Sequence, residues 1–218
     1  PLACWATVGN RRVLTAVDAP GTRLHPGQAL ADAQAMPPEL VLRPAEPEAD
    51  LALLERLALW GLRFTPLSAA DPPDGLVLDI TGCADLFGGE APLLARVSAG
   101  LGRGGIAARA VIASVVEVAA ALARAGRHGM ILPAGQERAV IDALPLPLLR
   151  LSQDCLAGLH RLGLQRVGDV LRQPRAPLAR RFGRELLDAL DAVMGERPRP
   201  MIPVRLPPEH EVVGNFVE

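Results

Sequence analysis

The sequence predicts a mixed α/β domain followed by an all-helical domain, and three observations point to this fold class. Short apolar runs alternate with segments of helical periodicity between about residues 50 and 125. From residue 136 to residue 196 the chain carries helical patterns only. With 218 residues and 50% hydrophobic content, the chain can bury one or two ordinary cores, so it is globular.

The chain begins with two predicted strands, and a helix follows them. The segment LACWATVGNRRVLTAV predicts two strands joined at Gly9-Asn10, because these residue types suit a tight hairpin turn. Residues 50–62 predict an amphipathic helix, with Asp50 placed to cap its N-terminus. The apolar face of this helix carries Leu51, Leu54, Leu57 and Ala58.

The central segment predicts a strand, a helix, a strand and another helix. The apolar run Leu76–Ile80 lies between the turn sequence Pro-Pro-Asp-Gly and Gly82, which predicts a strand buried on both faces of a mixed sheet. The next patterns predict a helix at about 91–101, a strand at 108–113 and an alanine-rich helix at about 116–125.

Two carboxylates flank the predicted central strand. Asp74 precedes it and Asp79 lies near its end, and a spacing of five places them on opposite faces of a regular strand. They cannot jointly hold one ion there. Position 75, where a metal site would gain from another carboxylate, is a glycine. Because Pro-Asp-Gly is a favoured turn sequence, the local pattern favours a turn role for Asp74.

The segment DPPDGLVLDITGCADLFGGE, residues 71–90, resembles the palm signature of the Y-family (UmuC/DinB-like) translesion DNA polymerases. In that signature an adjacent Asp-Glu pair is followed by a small or apolar pair and then by Leu-Asp-Leu-Thr-Gly. Asp74 matches the catalytic Asp in this register, Gly75 replaces the catalytic Glu, and Asp79 matches the later Asp. The segment LHPGQALADAQAMPP, residues 24–38, is similar to the fingers, and residues 144–182 are similar to the thumb.

This resemblance implies an α/β palm with fingers and an all-α, helix-hairpin-helix-like thumb. It predicts a Y-family polymerase core truncated at both ends, since the family's first palm strand and its Asp precede this point and a little finger follows. The implied domains are fingers at 1–43, palm at 44–135, thumb at 136–200, and a Pro-rich linker at 201–218 toward a missing little finger.

The departures from the family pattern concern catalysis. The chain has no Tyr and no Lys, whereas active members grip the incoming triphosphate with such residues. Two lysine positions of the family fall on Glu117 and Ala121. Two-metal phosphoryl transfer needs carboxylates that hold ions about 3.5–4 Å apart. The resemblance is strongest to a branch regarded as having lost catalysis, so we expect vestigial palm positions, no metal and no cofactor.

The implied function is that of a non-catalytic adaptor in damage-induced mutagenesis and translesion synthesis. The partners it implies are DNA, the sliding clamp, an error-prone replicative-type polymerase subunit and an ImuA-type RecA-like protein. The alternative is an active Y-family translesion polymerase that uses Mg²⁺, and a third hypothesis is another nucleotide-binding enzyme with a palm-like fold. The Leu86-Phe87 pair is similar to part of a clamp-binding peptide, but its position after the central strand predicts burial.

The charge distribution points to the helical half as a place for nucleic acid. Residues 1–100 hold 7 Arg and 12 acids, a balance of −5, and residues 101–200 hold 15 Arg and 9 acids, a balance of +6. Residues 156–169 are similar to the second part of a helix-hairpin-helix, which offers backbone amides to phosphate. The family's Gly-x-Gly hairpin is absent near residues 151–154. The candidate contacts are Arg161, Arg166, Gly168, Arg172, Arg175, Arg180 and Arg181. The alternative is a solvated basic face.

Other sites find little support in the sequence. The GLGRGG run at 100–105 formally fits GxGxxG, but a predicted helix precedes it and a strand follows, so a helix C-terminus and turn is favoured over a dinucleotide site. Three isolated Cys and four scattered His favour neither a disulfide framework nor a zinc site. No apolar run approaches 18 residues and no signal-peptide pattern occurs, which predicts a cytoplasmic protein without a membrane partner.

Overall fold

The computed structural model describes residues 1–35 and 39–206. The end of the fingers-like motif and the end of the predicted linker lie outside the described residues. The chain divides into two compact units, Pro1–Leu53 and Leu54–Glu218. The predicted domain boundaries at 43, 135 and 200 stay predictions.

The first unit is built on a three-stranded sheet. Its strands are β1 (Leu2–Val8), β2 (Arg11–Asp18) and β3 (Val41–Pro44), in the order β2-β1-β3, and α1 (Leu30–Gln34) lies between β2 and β3 in sequence. β1 is antiparallel to β2 and parallel to β3. The predicted hairpin is confirmed, because Val8 pairs with Arg11 and Gly9 adopts the positive φ that this turn requires. The buried core of this unit consists of Ala3, Leu14, Leu30 and Ala33.

The following elements continue the alternation of helix and strand and then become helical. They are α2 (Pro47–Gly61), β4 (Leu67–Asp71), β5 (Gly75–Asp79), α3 (Glu90–Arg103), β6 (Val111–Ile112), α4 (Val116–Arg124), β7 (Met130–Ile131), α5 (Glu137–Ala143), α6 (Gln153–Arg161), α7 (Val167–Leu171) and α8 (Arg175–Val193). Short 3₁₀ turns occupy Ala84–Phe87 and Leu146–Leu149. β4 and β5 form an antiparallel hairpin, and β6 and β7 form a parallel pair.

The strand β5 is only partly covered on its two faces, which corrects the prediction of a strand buried on both faces. Every residue of β5 is only partly buried. Ser68 and Leu78 lie opposite each other and point to the same side. The Ser68 hydroxyl donates to the Ala58 carbonyl of α2 at 2.7 Å, so α2 packs on that side. Residues 69, 71, 75, 77 and 79 therefore point to the other face.

Several predicted boundaries move in the structure. α2 begins at Pro47, a residue that suits the first helical turn, so Asp50 lies inside the helix and the predicted cap is wrong. The strand predicted at 108–113 shortens to Val111–Ile112. The GLGRGG run ends α3 as predicted, with Gly104 as its C-cap and Gly105 at φ +75.

α2 and α3 share an apolar cluster with β5. Phe64, Leu93, Val97 and Leu101 are buried in it, and Phe87 packs against it. Leu86, in contrast, is 82% exposed, so the prediction that Leu86 is buried is wrong. The 3₁₀ turn directs Phe87 inward and leaves its neighbour in solvent.

The largest core joins α4 to the helices that follow it. Its buried side chains run from Val118 to Val193 and include Leu146, Leu159 and Leu186, which are fully buried. A Cβ on Gly158 of α6 would lie 2.7 Å from the Phe182 ring of α8, so glycine permits this close approach. Within the described part of the chain, no helix combines the length and the apolar character that crossing a membrane requires.

Candidate functional site

The turn between β4 and β5 contains the palm positions that the sequence singled out, and the structure places a different carboxylate at its centre. Asp71, the last residue of β4, pairs with Gly75, the first residue of β5. The Asp71 side chain is 9% exposed, whereas the Asp74 side chain, out in the turn, is 60% exposed. Asp71 is therefore the buried acid of this site.

Three arginines surround the Asp71 carboxylate, and we call Arg124, Arg150 and Arg199 the arginine cage. Arg199 Nη2 donates to Asp71 Oδ1 at 2.8 Å. Arg150 Nη1 lies 3.0 Å from Oδ2, and Arg124 Nη2 lies 3.8 Å from the same atom. Both carboxylate oxygens therefore face a guanidinium group.

Arg124 and Arg150 reach the cage from the C-terminal ends of two short elements. Arg124 ends α4, and its other guanidinium nitrogen donates to the Leu148 carbonyl. Burial and then the neighbouring Arg150 lower the pKa of Arg124, while Asp71 opposes that shift. Arg150 has φ +55, a left-handed conformation that is rare outside glycine and is found at constrained sites.

Arg150 also fixes the turn itself. It donates to the Pro72 carbonyl at 2.7 Å and forms an ion pair with Asp74. One guanidinium therefore bridges the two carboxylates Asp71 and Asp74, which is the bridging position that a cation takes in a metal site.

Arg199 comes from the segment after α8, and we call residues 197–206 the return segment. The Val204 amide donates to the Ser68 carbonyl at 2.8 Å, so this segment runs along the outer edge of β4. Arg199 Nε lies 3.4 Å from Glu117 Oε1. The return segment thus brings one cation to two carboxylates.

Glu117 and Ala121, which the resemblance aligns with two lysines, both lie on α4. The Glu117 side chain is 15% exposed, and Ala121 is fully buried. Burial raises the pKa of Glu117, Arg199 opposes this shift, and Asp71 adds to it. A carboxylate and a methyl group here offer no positive charge to a triphosphate.

The remaining palm positions have structural roles in this hairpin. Asp79 accepts a hydrogen bond from the Thr81 amide at 3.0 Å, and bonding from the Thr81 hydroxyl and amide lowers the pKa of Asp79. Asp79 therefore closes the turn after β5. A Cβ on Gly75 would lie 2.9 Å from both the Asp71 carbonyl oxygen and Asp71 Oδ2. The buried Asp71 leaves no room for a side chain at position 75.

The residues of this site do not fit the Mg²⁺ ions that the resemblance to polymerases implies. The two oxygens of Asp71 are engaged by guanidinium groups, and glycine occupies the place of the second ligand. In residues 1–35 and 39–206, no group of three or more His, Cys, Asp or Glu side chains is arranged to hold a metal ion. Guanidinium charge neutralises the carboxylates instead.

Sequence reasoning missed the arginine cage because its members are distant in sequence. Arg199 is 128 residues from Asp71. One signal could have pointed to Asp71: it directly follows the small residues Ser-Ala-Ala, which suit a buried strand, so a second carboxylate lies at the start of the turn. Sequence reasoning chose Asp74 because the residues around Asp74 match the family motif.

The candidate nucleic-acid contacts of the helical part fall into two groups. Arg172 lies 2.6 Å from Asp169, and Arg175 forms an ion pair with Asp191. The other arginines are exposed and, among the described residues, have no carboxylate within 4 Å: Arg161, Arg166, Arg180 and Arg181. This second group is free to meet phosphate.

The hairpin before α7 is closed by its own acid. The amides of Gln165 and Arg166 donate to Asp169 Oδ2 at 3.1 and 2.9 Å, and the Arg166 amide makes the largest contribution to a lowered pKa of Asp169. Gly168 is buried, and a Cβ there would lie 2.7 Å from the Asp142 carbonyl oxygen. Gly168 thus packs α7 against α5, and its contact with phosphate stays a prediction.

Comparison with known proteins identifies relatives of the chain. It is 49% identical over 172 residues to Protein ImuB of Caulobacter vibrioides, strains NA1000 and ATCC 19089, and the match covers 79% of this chain. The chain spans 38% of the length of each of these ImuB proteins. No family model matches the chain.

Solved structures show the same fold. DinB from Sulfolobus solfataricus superposes with a TM-score of 0.73 at 16% identity, covering 93% of this chain and 62% of that protein. The Y-family DNA polymerase chimera Dbh-Dpo4-Dbh has a TM-score of 0.69 at 14% identity, and the match covers 92% of this chain and 62% of the chimera. The insertion ternary complex of Dbh DNA polymerase has a TM-score of 0.71 at 15% identity, and the match covers 92% of this chain and 61% of that polymerase. The predicted fold class, a Y-family polymerase core, is confirmed.

Proposed function

We propose, from the premise that this chain is a homologue of ImuB with the core fold of a Y-family DNA polymerase, that it is a non-catalytic adaptor in damage-induced mutagenesis. In this role it links an error-prone replicative-type polymerase subunit to the sliding clamp and to DNA, together with an ImuA-type RecA-like protein. The observation that carries the proposal is the arginine cage around Asp71.

The arginine cage opposes metal-dependent phosphoryl transfer on electrostatic grounds. Two-metal catalysis requires carboxylates that are free to bind a pair of cations about 3.5–4 Å apart. At Asp71, Mg²⁺ would have to displace Arg199 and Arg150 from the two carboxylate oxygens, and the released guanidiniums would then repel the ion. Glu117 adds repulsion toward a triphosphate. These features favour the proposal that the polymerase fold serves binding rather than catalysis.

The proposal predicts that the chain does not extend a primer. We expect no template-dependent incorporation with Mg²⁺ or Mn²⁺ on undamaged or abasic templates, because guanidinium groups engage both Asp71 and Asp74 and glycine occupies position 75. A gel assay with labelled primer measures this, with Dbh DNA polymerase as the positive control. The alternative, an active Y-family translesion polymerase, predicts extension that disappears in both Asp71→Asn and Asp74→Ala, and that result would overturn the adaptor.

DNA binding is supported by the exposed arginines of the helical part and by the fold. We propose that Arg161, Arg166, Arg180 and Arg181 meet backbone phosphates, since guanidinium forks suit phosphate oxygens. Such contacts are sequence-independent and sensitive to salt, because each neutralised phosphate releases counterions.

The salt dependence of duplex binding tests this assignment. Each phosphate contact adds about 0.9 to the slope of log K against log salt, so replacing all four arginines by alanine is expected to reduce the slope by up to about 3.6. A matched variant replaces four exposed arginines elsewhere, at positions 11, 23, 109 and 127, and should retain the slope. If both variants change it equally, the helical part is not the DNA-binding surface.

A further inference from the structure

A groove lies between the C-terminal end of α2 and the exposed face of α3. It has a volume of about 510 Å³ and is lined by Arg63, Phe64, Ala95, Arg96, Ala99 and Arg103. We call these six residues the α3 groove. They have no part in the arginine cage or in the basic surface of the later helices.

The sequence of α3 produces this groove by its periodicity. Leu93, Val97 and Leu101 point into the apolar cluster, four residues apart. On the exposed face, Ala95 and Ala99 are also four residues apart and lie one above the other. Because alanine side chains are short, this face of α3 is flat, so another backbone can approach it closely.

Aromatic packing makes the other wall rigid. Phe64 is 9% exposed and packs against Trp60 and Phe87, with ring centroids 5.0 and 5.8 Å apart. Arg96 lies over the Phe87 ring at 5.7 Å, and Arg63 lies over the Trp60 ring at 5.4 Å. These cation–π contacts hold two guanidinium groups at the rim before anything binds.

The charge of the α3 groove is uncompensated. Within residues 1–35 and 39–206, no carboxylate lies within 4 Å of the guanidinium groups of Arg63, Arg96 or Arg103. Each arginine of the cage, by contrast, has an acidic partner. Three positive charges around an apolar floor, two of them held by aromatic rings, match a ligand that carries both carboxylates and apolar side chains.

The groove also lies on the opposite side of the hairpin from Asp71. α2 packs on the Ser68 and Leu78 side, while Asp71 points to the other face. Phe64 is too deeply buried to stack on a base, which single-stranded nucleic acid requires of an aromatic platform. These features favour a protein ligand over a nucleic acid.

We propose that the α3 groove docks an acidic amphipathic helix of a partner protein. The Ala95–Ala99 floor accepts apolar side chains that recur every three or four residues, and the three arginines pair with carboxylates that flank them. Arginine and aromatic residues are enriched among the side chains that dominate protein interfaces. The proposal does not rest on the loss of catalysis, because the groove would serve an active polymerase equally well.

The test uses a fluorescein-labelled peptide of glutamate, alanine and leucine, with leucines every three or four residues, and a basic twin with lysine for glutamate. By fluorescence anisotropy, the full chain is expected to bind the acidic peptide about tenfold or more tightly than its twin. The triple variant Arg63→Glu, Arg96→Glu, Arg103→Glu should lose that binding. The matched triple Arg23→Glu, Arg109→Glu, Arg127→Glu changes net charge equally and should keep it.

A neutral variant separates groove shape from charge. Ala99→Trp fills the floor at an exposed helical position without altering charge, so it should also lose the acidic peptide while circular dichroism shows a folded chain. Equal loss in both charge variants, or full binding by Ala99→Trp, overturns the proposal. The proposal is also overturned if oligothymidylate displaces the acidic peptide by binding to the same three arginines. Self-association of the chain that the groove variants abolish would overturn it as well.

Discussion

Replacing Asp71 with alanine is expected to lower the free energy of unfolding by about 3–5 kcal/mol, the usual cost of removing one partner of a buried ion pair. The side chains of Arg124 and Arg150 are only 21% and 23% exposed, so they would be left close together without a counter-charge. Arg199 is half exposed and can turn to water, so it contributes less to this loss.

Thermal and urea unfolding measure this effect. For a chain of this size, about 1 kcal/mol corresponds to about 2–4 °C, so the Tm of Asp71→Ala should fall by roughly 6–20 °C. Asp74→Ala is the matched control, since the Asp74 side chain is 60% exposed and, among the residues that the structure describes, pairs with Arg150 alone; it should cost under about 1 kcal/mol. Adding Arg150→Met to Asp71→Ala should recover part of the loss. Equal losses for Asp71→Ala and Asp74→Ala would show that no charge is trapped at the cage.

Restoring the family's glutamate at position 75 is expected to destabilise the chain and to leave primer extension absent. A Cβ there approaches the Asp71 main chain to 2.9 Å, and overpacking of this kind costs about 1–3 kcal/mol. The added carboxylate would also face Asp71 across the strand pair. Gly75→Ala should show the steric part alone, and Gly75→Glu should be less stable than Gly75→Ala.

The control for this series is Gly102→Ala. Gly102 lies in α3 with no heavy atom within 4 Å of its would-be Cβ, so alanine should be neutral or stabilising by up to about 1 kcal/mol. Melting curves and the primer assay are run on all three variants. Extension by Gly75→Glu would contradict the steric argument, and it would show that the glycine, rather than the arginine cage, accounts for the proposed loss of catalysis.

The parts of the fold that the sequence predicted are those set by local chemistry. Gly9-Asn10 determines a hairpin because its turn needs a positive φ, and the glycines after Arg103 end α3 for the same reason. The burial of β5 was misjudged because an apolar run does not reveal how completely neighbouring elements cover each face of a strand. Leu86 was misjudged because a 3₁₀ turn breaks the alternation of the strand before it.

Of the candidate site, the sequence predicted only the positions where expected catalytic residues are absent. Gly75, Glu117 and Ala121 could be identified because they occupy known places in a family motif. Asp71 could not, because its burial depends on arginines from three separate places: the end of α4, the turn after Leu149 and the return segment. Long-range ion pairs leave no periodicity or spacing in a sequence, so only the folded chain reveals them.

The return segment has a consequence for how the chain folds. Arg199 and Val204 meet Asp71 and Ser68, so residues near opposite ends of Leu54–Glu218 must come together before the hairpin is complete. Closing so long a loop is entropically costly, and contacts of this range form late. The β4 edge also stays unpaired until Val204 arrives, and unpaired edges favour pairing with other chains. A shortened chain should therefore end after Val204 rather than at the end of α8, or the hairpin will carry an open edge and a carboxylate short of one partner.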